Sequence, residues 1–501
     1  MFKLSFSVTP ADCVILPMFE EADLEPAVKS LDAEHNGIIQ TAFETEDFSG
    51  KKMQISLLYT HNKQSPRLLL TGLGPKKELT VRRFKQVIGA AIIAAQSKKA
   101  QKISVLIPKE VITAFDPTRA ISQATVAATV AAYSFDEYKQ KDTRVSEVTS
   151  ITFFGAFESD AKKILERAVA EGKIIGEAIN YTRHLGNVPP TIMTPAYLAQ
   201  SAIDLAQKHP NIKVKVLSRP EMKKLGMGCL LGVAQGSAKE PKFIILEYFG
   251  LPQADSKNNK KTKPIVLAGK GITYDSGGLS IKPSNYMNDM KFDMLGAASV
   301  LGVILALAEL KIKKNVVGLL PSCENMPDGD AYRPDDILVA MDGTSVHITN
   351  TDAEGRLILA DALCYAAKYE PKEVIDLATL TGHCRVALGM DRSGLFTTEE
   401  KMAEKLLVAS GEVGEQLWRL PLGEEFTEGN KSEVADIDNS GVGDNRLAGA
   451  SVAAAFLQYF VKYPWAHIDM SCCYYTPKGR PWIRAGANGF GVETLVEYIR
   501  N

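Results

Sequence analysis

PIVLAGKGITYDSGGLSIKP, residues 264–283, joins an apolar run to a glycine-rich loop that carries Lys270, Asp275 and Lys282. The run 265–268 has no polar alternation, which is how a strand covered on both faces reads. Three more runs of this kind follow the same grammar: KFIILEYFG (242–250), VVGLLPS (316–322) and EVIDLATL (373–380), each near a helix-like stretch. Together they predict an α/β domain with a mostly parallel central sheet covered by helices. In such sheets ligands gather beyond the carboxyl ends of the strands, where the glycine loop starts.

The 150 residues at the other end mix short β-rich runs (KMQISLLY, RLLLTGLG, KISVLIP, VTSITFFGA) with alanine-rich helical segments at 84–95 and 120–133. A smaller N-terminal α/β domain is predicted over 1–159. Residues 160–186 have apolar positions at helical spacing and end near Gly186 and the Pro189-Pro190 pair, so they read as a connecting helix. The larger C-terminal α/β domain then spans 187–501. The charged stretch DSKNNKKTK (255–263) reads as a solvated loop.

Composition narrows the class. The 501 residues are 45% hydrophobic and 23% charged, as in folded globular proteins. Net charge is -1, from 58 basic and 59 acidic side chains, so no global field favours nucleic acid or anionic lipid. Seven scattered cysteines without CxxC spacing suit a reducing compartment, and the amino terminus lacks a signal-peptide pattern, so a cytoplasmic protein is expected. The apolar stretch 294–310 is short for a bilayer and reads as a buried core helix; no membrane association is expected.

Three segments combine charge with tight backbone. The loop at 269–283 is the first. The second, NDMKFD (288–293), opens the apolar helix, where Asp293 taken singly reads as a capping residue. The third, NTDAEGRLILADALCYA from Asn350, spaces Asp352, Glu354 and Arg356 two apart, so that an extended backbone turns all three to one side. A pair of divalent ions roughly 3.5–4 Å apart needs about four carboxylates. Asp275, Asp293, Asp352 and Glu354 supply that number, but spacing alone does not bring them together.

GKGITYDSGGLSIKP, MKFDMLGAA, ENMPDGDAYRPDD and above all NTDAEGRLILADAL resemble the signature segments of the leucyl aminopeptidase family, the cytosol aminopeptidases of peptidase family M17. The likeness continues through TLTG (379–382), WAHIDM (465–470) and GANGFGVETLVEYI (486–499). It implies two divalent metal ions, manganese or zinc with magnesium or cobalt as alternatives. Asp275, Asp352 and Glu354 would hold one, with the Asp352 carbonyl as an added ligand; Lys270, Asp275, Asp293 and Glu354 would hold the other. Lys282 and Arg356 would be catalytic, Lys282 on the oxyanion and Arg356 holding a bicarbonate ion as general base. Met290, Asn350, Thr379 and Gly382 would bind substrate, with leucine and methionine preferred. Peptide substrates and a homohexamer are also implied.

The chain departs from the family pattern after TLTG, where His383 and Cys384 replace a small residue. Neither has a partner at zinc-site spacing, so the expected effect is on pocket size or polarity. Adjacent Cys472 and Cys473 read as buried small hydrophobes rather than a disulfide, and His347 and His467 as packed. The rival reading is a DNA-binding regulator on a peptidase scaffold, as in some bacterial relatives of the family. The basic run Lys76, Lys77, Arg82, Arg83, Lys85 and nearby Lys98, Lys99 and Lys102 would serve it, although overall charge gives it no support. A catalytically dead scaffold would lack a ligand residue, and none is missing.

Overall fold

The computed structural model describes residues 1–20, 23–251, 262–441 and 447–501. Most of the charged stretch 255–263 thus lies outside the described residues. The chain divides into two compact units, residues 1–180 with 412–414 and 477–485, and residues 181–411 with 415–476 and 486–501. The helix Lys162–Asn187 carries the chain from the first into the second.

The first unit is built on a six-stranded sheet. Its spatial order is Phe2–Ser5, Ser150–Phe154, Lys102–Leu106, Cys13–Phe19, Arg67–Gly74 and Ile55–Tyr59, parallel except for the last, antiparallel pair. Cys13–Phe19 is buried along its whole length because both faces are covered. Cys13 and Ile15 pack with Phe84, Ile88 and Ile121 of two long helices, whereas Val14 and Leu16 pack with Val28, Leu31 and Ile39.

The second unit holds a mixed, mostly parallel nine-stranded sheet. Its centre is the parallel set Trp465–Asp469, Glu373–Ala378, Ile265–Gly269 and Asn315–Asn325. Val317 and Leu319 face a cluster with Leu357, Ile358 and Phe456, while Gly318 opens the other face to Val300 and Ile304. Helices therefore cover both faces, as the unbroken apolar runs require. Leu295–Glu309 lies in this core. Its surroundings answer the membrane question: the apolar window within Ser284–Glu309 is 89% buried inside the fold.

The sheet is broken where the chemistry sits. Ile265–Gly269 pairs with residues 316–319, and Gly271–Asp275 resumes against residues 322–325, leaving Lys270 at the break. The Lys270 N–H donates to the Leu377 carbonyl at 3.0 Å, and its carbonyl accepts from Ala297 N–H at 2.9 Å. This binds the start of the core helix directly to the strand ends. Gly296 permits it, since a Cβ there would lie 2.1 Å from the Leu377 carbonyl oxygen and 2.8 Å from Lys270 N. Gly296→Ala is accordingly expected to cost about 1–3 kcal/mol by overpacking. Urea unfolding checks this; an unchanged midpoint would mean that the helix start yields freely.

Candidate active site

The parallel strands deliver their carboxyl ends to one place. Lys270 follows Ile265–Gly269, Thr379 follows Glu373–Ala378, Asn325 ends Asn315–Asn325 and Asp469 ends Trp465–Asp469. A cavity of about 1040 Å³ opens there, wholly within the second unit. Every site residue expected from the sequence lines it: Lys270, Asp275, Lys282, Met290, Asp293, Asn350, Asp352, Glu354, Arg356, Thr379 and Gly382.

Two lysines organise the carboxylates. The Lys270 ammonium lies 2.8 Å from Asp293 Oδ1, 2.8 Å from Glu354 Oε1 and 3.0 Å from the Thr379 carbonyl. Its stem passes so close to Gly355 that a Cβ there would stand 2.6 Å from Nζ. Lys282 lies 2.7 Å from Asp275 Oδ2 and 2.5 Å from Asp352 Oδ1. Asp275, Asp293 and Glu354 are buried and present oxygens within 4.8 Å of one another. Asp293 Oδ2 is buried without a partner.

Loops distant in sequence are clasped to produce this convergence. Lys282 N–H closes its loop on the Ser276 carbonyl at 2.9 Å. Thr351 then grips that loop: its hydroxyl accepts from Ser280 N–H at 2.7 Å and donates to the Gly277 carbonyl at 2.6 Å. Asn325 Nδ2 donates to Asp275 Oδ1 at 2.8 Å and to the Thr351 carbonyl at 3.0 Å, and Tyr332 donates to the same carbonyl at 2.6 Å. Asn439 receives Thr349 N–H at 2.8 Å, donates to the Asn350 carbonyl at 2.7 Å and accepts from Arg356 at 2.8 Å through its own carbonyl. Asn325, Tyr332, Thr351, Asn439 and Asp469 were not expected from the sequence. Asn325, Tyr332, Thr351 and Asp469 fall inside the signature segments and Asn439 in none, but no spacing rule marks any of the five, and only the fold brings them to the site.

Two local readings need correction. Asp293 does not cap the core helix, whose first turn has no side-chain cap; it accepts instead from Lys270 and, at 2.7 Å, from the Thr379 hydroxyl. Asp352, Glu354 and Arg356 do not share a face through an extended backbone. Glu354 is already helical at the start of Gly355–Ala366, and Asp352 lies in the turn before it. The turn and the helix aim the three side chains at one cavity but at different partners.

Electrostatics follow from burial. Desolvation, aided by the Asp275 charge and opposed by Lys282, raises the Asp352 carboxyl to about 7. It also raises Asp275 and Asp293, with Glu354 adding to both and the lysines opposing. Burial opposes the Lys270 ammonium, but Asp293, Glu354 and Asp275 outweigh it and hold its pKa above the usual lysine value. Arg356 is lowered to about 10 by burial, makes no ion pair among the described residues, and leaves Nε without a partner. A buried guanidinium so placed suits an anion. Four carboxylates against two ammonium groups, with one oxygen unmatched, suit a hard cation.

His383 is exposed on the cavity wall, close to Gly449, while Cys384 is buried. Among the described residues no cysteine is joined in a disulfide. His467 is fully buried and bonded to Asp376 at 2.6 Å, and His347 to Asp438 at 2.8 Å. In the basic run, Lys76 pairs with Glu110 and Arg83 with Glu78.

Residues 180–496 match the model of the cytosol aminopeptidase family, catalytic domain, and residues 15–142 that of the same family's N-terminal domain. A probable cytosol aminopeptidase of Histophilus somni (strain 2336) is 40% identical over 494 residues, covering 97% of this chain and 96% of that relative. Another from Geobacter sp. (strain M21) is 40% identical over 499 residues, with 98% and 97% covered. Among solved structures, a mutant of tomato leucine aminopeptidase superposes with a TM-score of 0.88 at 32% identity, covering 100% of this chain and 96% of that one. The bottromycin maturation enzyme BotP in complex with Mn gives 0.82 at 31%, with 98% and 99% covered.

Proposed function

Since this chain belongs to the cytosol aminopeptidase family and is an aminopeptidase, we propose that it is a two-metal leucyl aminopeptidase releasing apolar N-terminal residues, leucine and methionine foremost, during peptide turnover in the cytoplasm. The observation that carries this reading is the buried cluster in which Asp275, Asp293, Asp352 and Glu354 surround two lysines while Asp293 Oδ2 has no partner. Lys270, Asp275, Asp293, Asp352 and Glu354 would hold the two ions, manganese or zinc, with Lys270 binding as the neutral amine. When bound, such ions lower the pKa of water and polarise a carbonyl.

The chain's own residues supply the rest. Lys282 keeps its proton, held there by Asp275 and Asp352, and stabilises negative charge developing on the scissile carbonyl oxygen. Arg356 retains a small anion, bicarbonate, beside the reacting water through the donors that its bond to the Asn439 carbonyl leaves over among the described residues. That anion takes up the water's proton. The substrate's free α-amine complements the acidic cluster; an internal residue has none, so removal proceeds from the end. Met290, Thr379 and Gly382 receive the first side chain, and Asn350 fixes the loop by accepting Asp352 N–H at 2.8 Å. Assembly as a homohexamer belongs to the same proposal, and sedimentation velocity tests it.

The decisive experiment is hydrolysis of leucyl-p-nitroanilide before and after exhaustive chelation. Activity should vanish with the chelator and return with manganese or zinc. Full activity in the chelated protein would sink the metal reading, and absence of turnover on any aminoacyl amide would sink the whole.

A further inference from the structure

The cavity has a second charged feature, away from the carboxylate cluster. Arg385 lies on Gly382–Leu388, the short helix that follows Thr379. Its side chain lines the cavity and is partly buried. The guanidinium stands 4.7 Å from the centre of the Tyr474 ring and donates to the Tyr474 hydroxyl at 2.6 Å. Tyr474 also stacks on Phe292, with ring centres 4.6 Å apart and planes 18° from parallel. Phe292 closes the turn Met290–Phe292, so the aromatic pair continues the wall begun by Met290.

Arg385 lacks the carboxylate that a guanidinium at such a wall usually finds. Among the described residues no ion pair reaches it. Besides the four carboxylates of the cluster, two acidic side chains line the cavity, and neither forms an ion pair with Arg385. Asp469 accepts from Leu380 N–H, Thr381 N–H and the Thr381 hydroxyl, and Asp289 Oδ2 accepts from the Thr476 hydroxyl. One of the five N–H donors of Arg385 goes to Tyr474, and among the described residues the rest have no acceptor. Burial raises the Tyr474 phenol to about 12, so its hydroxyl stays neutral and keeps a proton to donate.

We propose that Arg385 and Tyr474 form the specificity-determining end of the side-chain pocket, and that they admit first residues with a terminal oxygen acceptor on a short apolar stem, glutamine and glutamate. The inference rests on the reading that Met290, Thr379 and Gly382 receive the first side chain. The stem lies along Met290 and Tyr474, with buried Phe292 stacked on the tyrosine. The terminal carbonyl or carboxylate oxygen then takes the unused donors of Arg385. A fork of fixed donors suits that oxygen better than a point charge would. Asp289 on the same wall weighs against added negative charge, so comparing glutamine with glutamate separates hydrogen bonding from charge.

The test is kcat/KM of the full-length, metal-loaded enzyme on glutaminyl, glutamyl, methionyl and leucyl p-nitroanilides, and on Leu-Gly, for the wild type, Arg385→Met and Tyr474→Phe. The glutaminyl-to-methionyl ratio compares chains of similar length. In Arg385→Met it should fall about tenfold or more, because the lost donors leave a polar group unmatched. Tyr474→Phe leaves the guanidinium but frees it from its tether, and the ratio should fall less. An unchanged ratio in both variants overturns the proposal, however far the individual rates drop. So does a change confined to Leu-Gly relative to leucyl p-nitroanilide, which would assign Arg385 to the product-side carboxylate. Turnover of leucyl p-nitroanilide by the wild type upholds the aminopeptidase reading whatever the ratio does.

Discussion

Asp275→Ala is expected to lower kcat/KM on leucyl p-nitroanilide on the order of 10⁴-fold, the scale seen when a member of a catalytic unit is removed. The two oxygens of Asp275 do separate work. Oδ1 accepts from Asn325 Nδ2 and Gly277 N–H, and Oδ2 accepts from Lys282. Removing both deprives the cluster of its central donor, yet the loops remain clasped by Ser280 and Thr351. The fold should therefore survive while the cluster fails. Asp275→Asn sharpens the test: it keeps an acceptor for the two N–H groups but loses the charge and replaces the oxygen that accepts from Lys282 with an amide NH₂. It should match the alanine variant in lost activity while perturbing Tm less. Calorimetric titration with manganese should show weakened metal binding in both. Activity within tenfold of the wild type in either variant would remove Asp275 from the proposed ligand set.

The legible and illegible parts of this molecule separate for physical reasons. Strands buried on both faces announce themselves, and Ile265–Gly269, Lys242–Phe249 and Glu373–Ala378 could be read as apolar runs. Cys13–Phe19 is as deeply buried but was not read as a strand, and it contains Pro17. The structure tolerates the missing N–H because the ladder with Lys102–Leu106 ends at Ile15, leaving Pro17 on the Arg67–Gly74 side only. The acidic residues of the site were visible as types. Their convergence was not, because it depends on contacts such as Thr351 to Gly277, 74 positions apart, and Asn439 to Asn350, 89 apart. Local rules also gave Asp293 to the wrong task. A carboxylate in front of a helix looks like a cap, and only the break in the sheet at Lys270 shows what draws it inward. Arg385 and Tyr474 are 89 positions apart, and nothing in either neighbourhood signals the pair.

Lys282→Met separates catalysis from charge balance. The methionine stem fills much of the space and removes the ammonium that lies between Asp275 and Asp352. Two effects are expected. Loss of a cation aimed at developing charge should lower kcat by about 10²–10³, with KM changed little, as for a single oxyanion donor. Loss of the cation between two largely buried carboxylates should also destabilise the metal-free protein by about 1–3 kcal/mol, less than for a fully enclosed pair because Asp352 is partly exposed. Metal binds only the folded state and so offsets the second loss. Manganese should therefore bring the variant's Tm back toward that of the wild type while leaving kcat low. If metal restored both together, Lys282 would be a counter-ion of the empty cluster and not a catalytic group. If kcat fell with no change in metal-free Tm, the carboxylates would have to find other partners or take up protons, and the raised Asp352 carboxyl, at about 7, is the first that would do so.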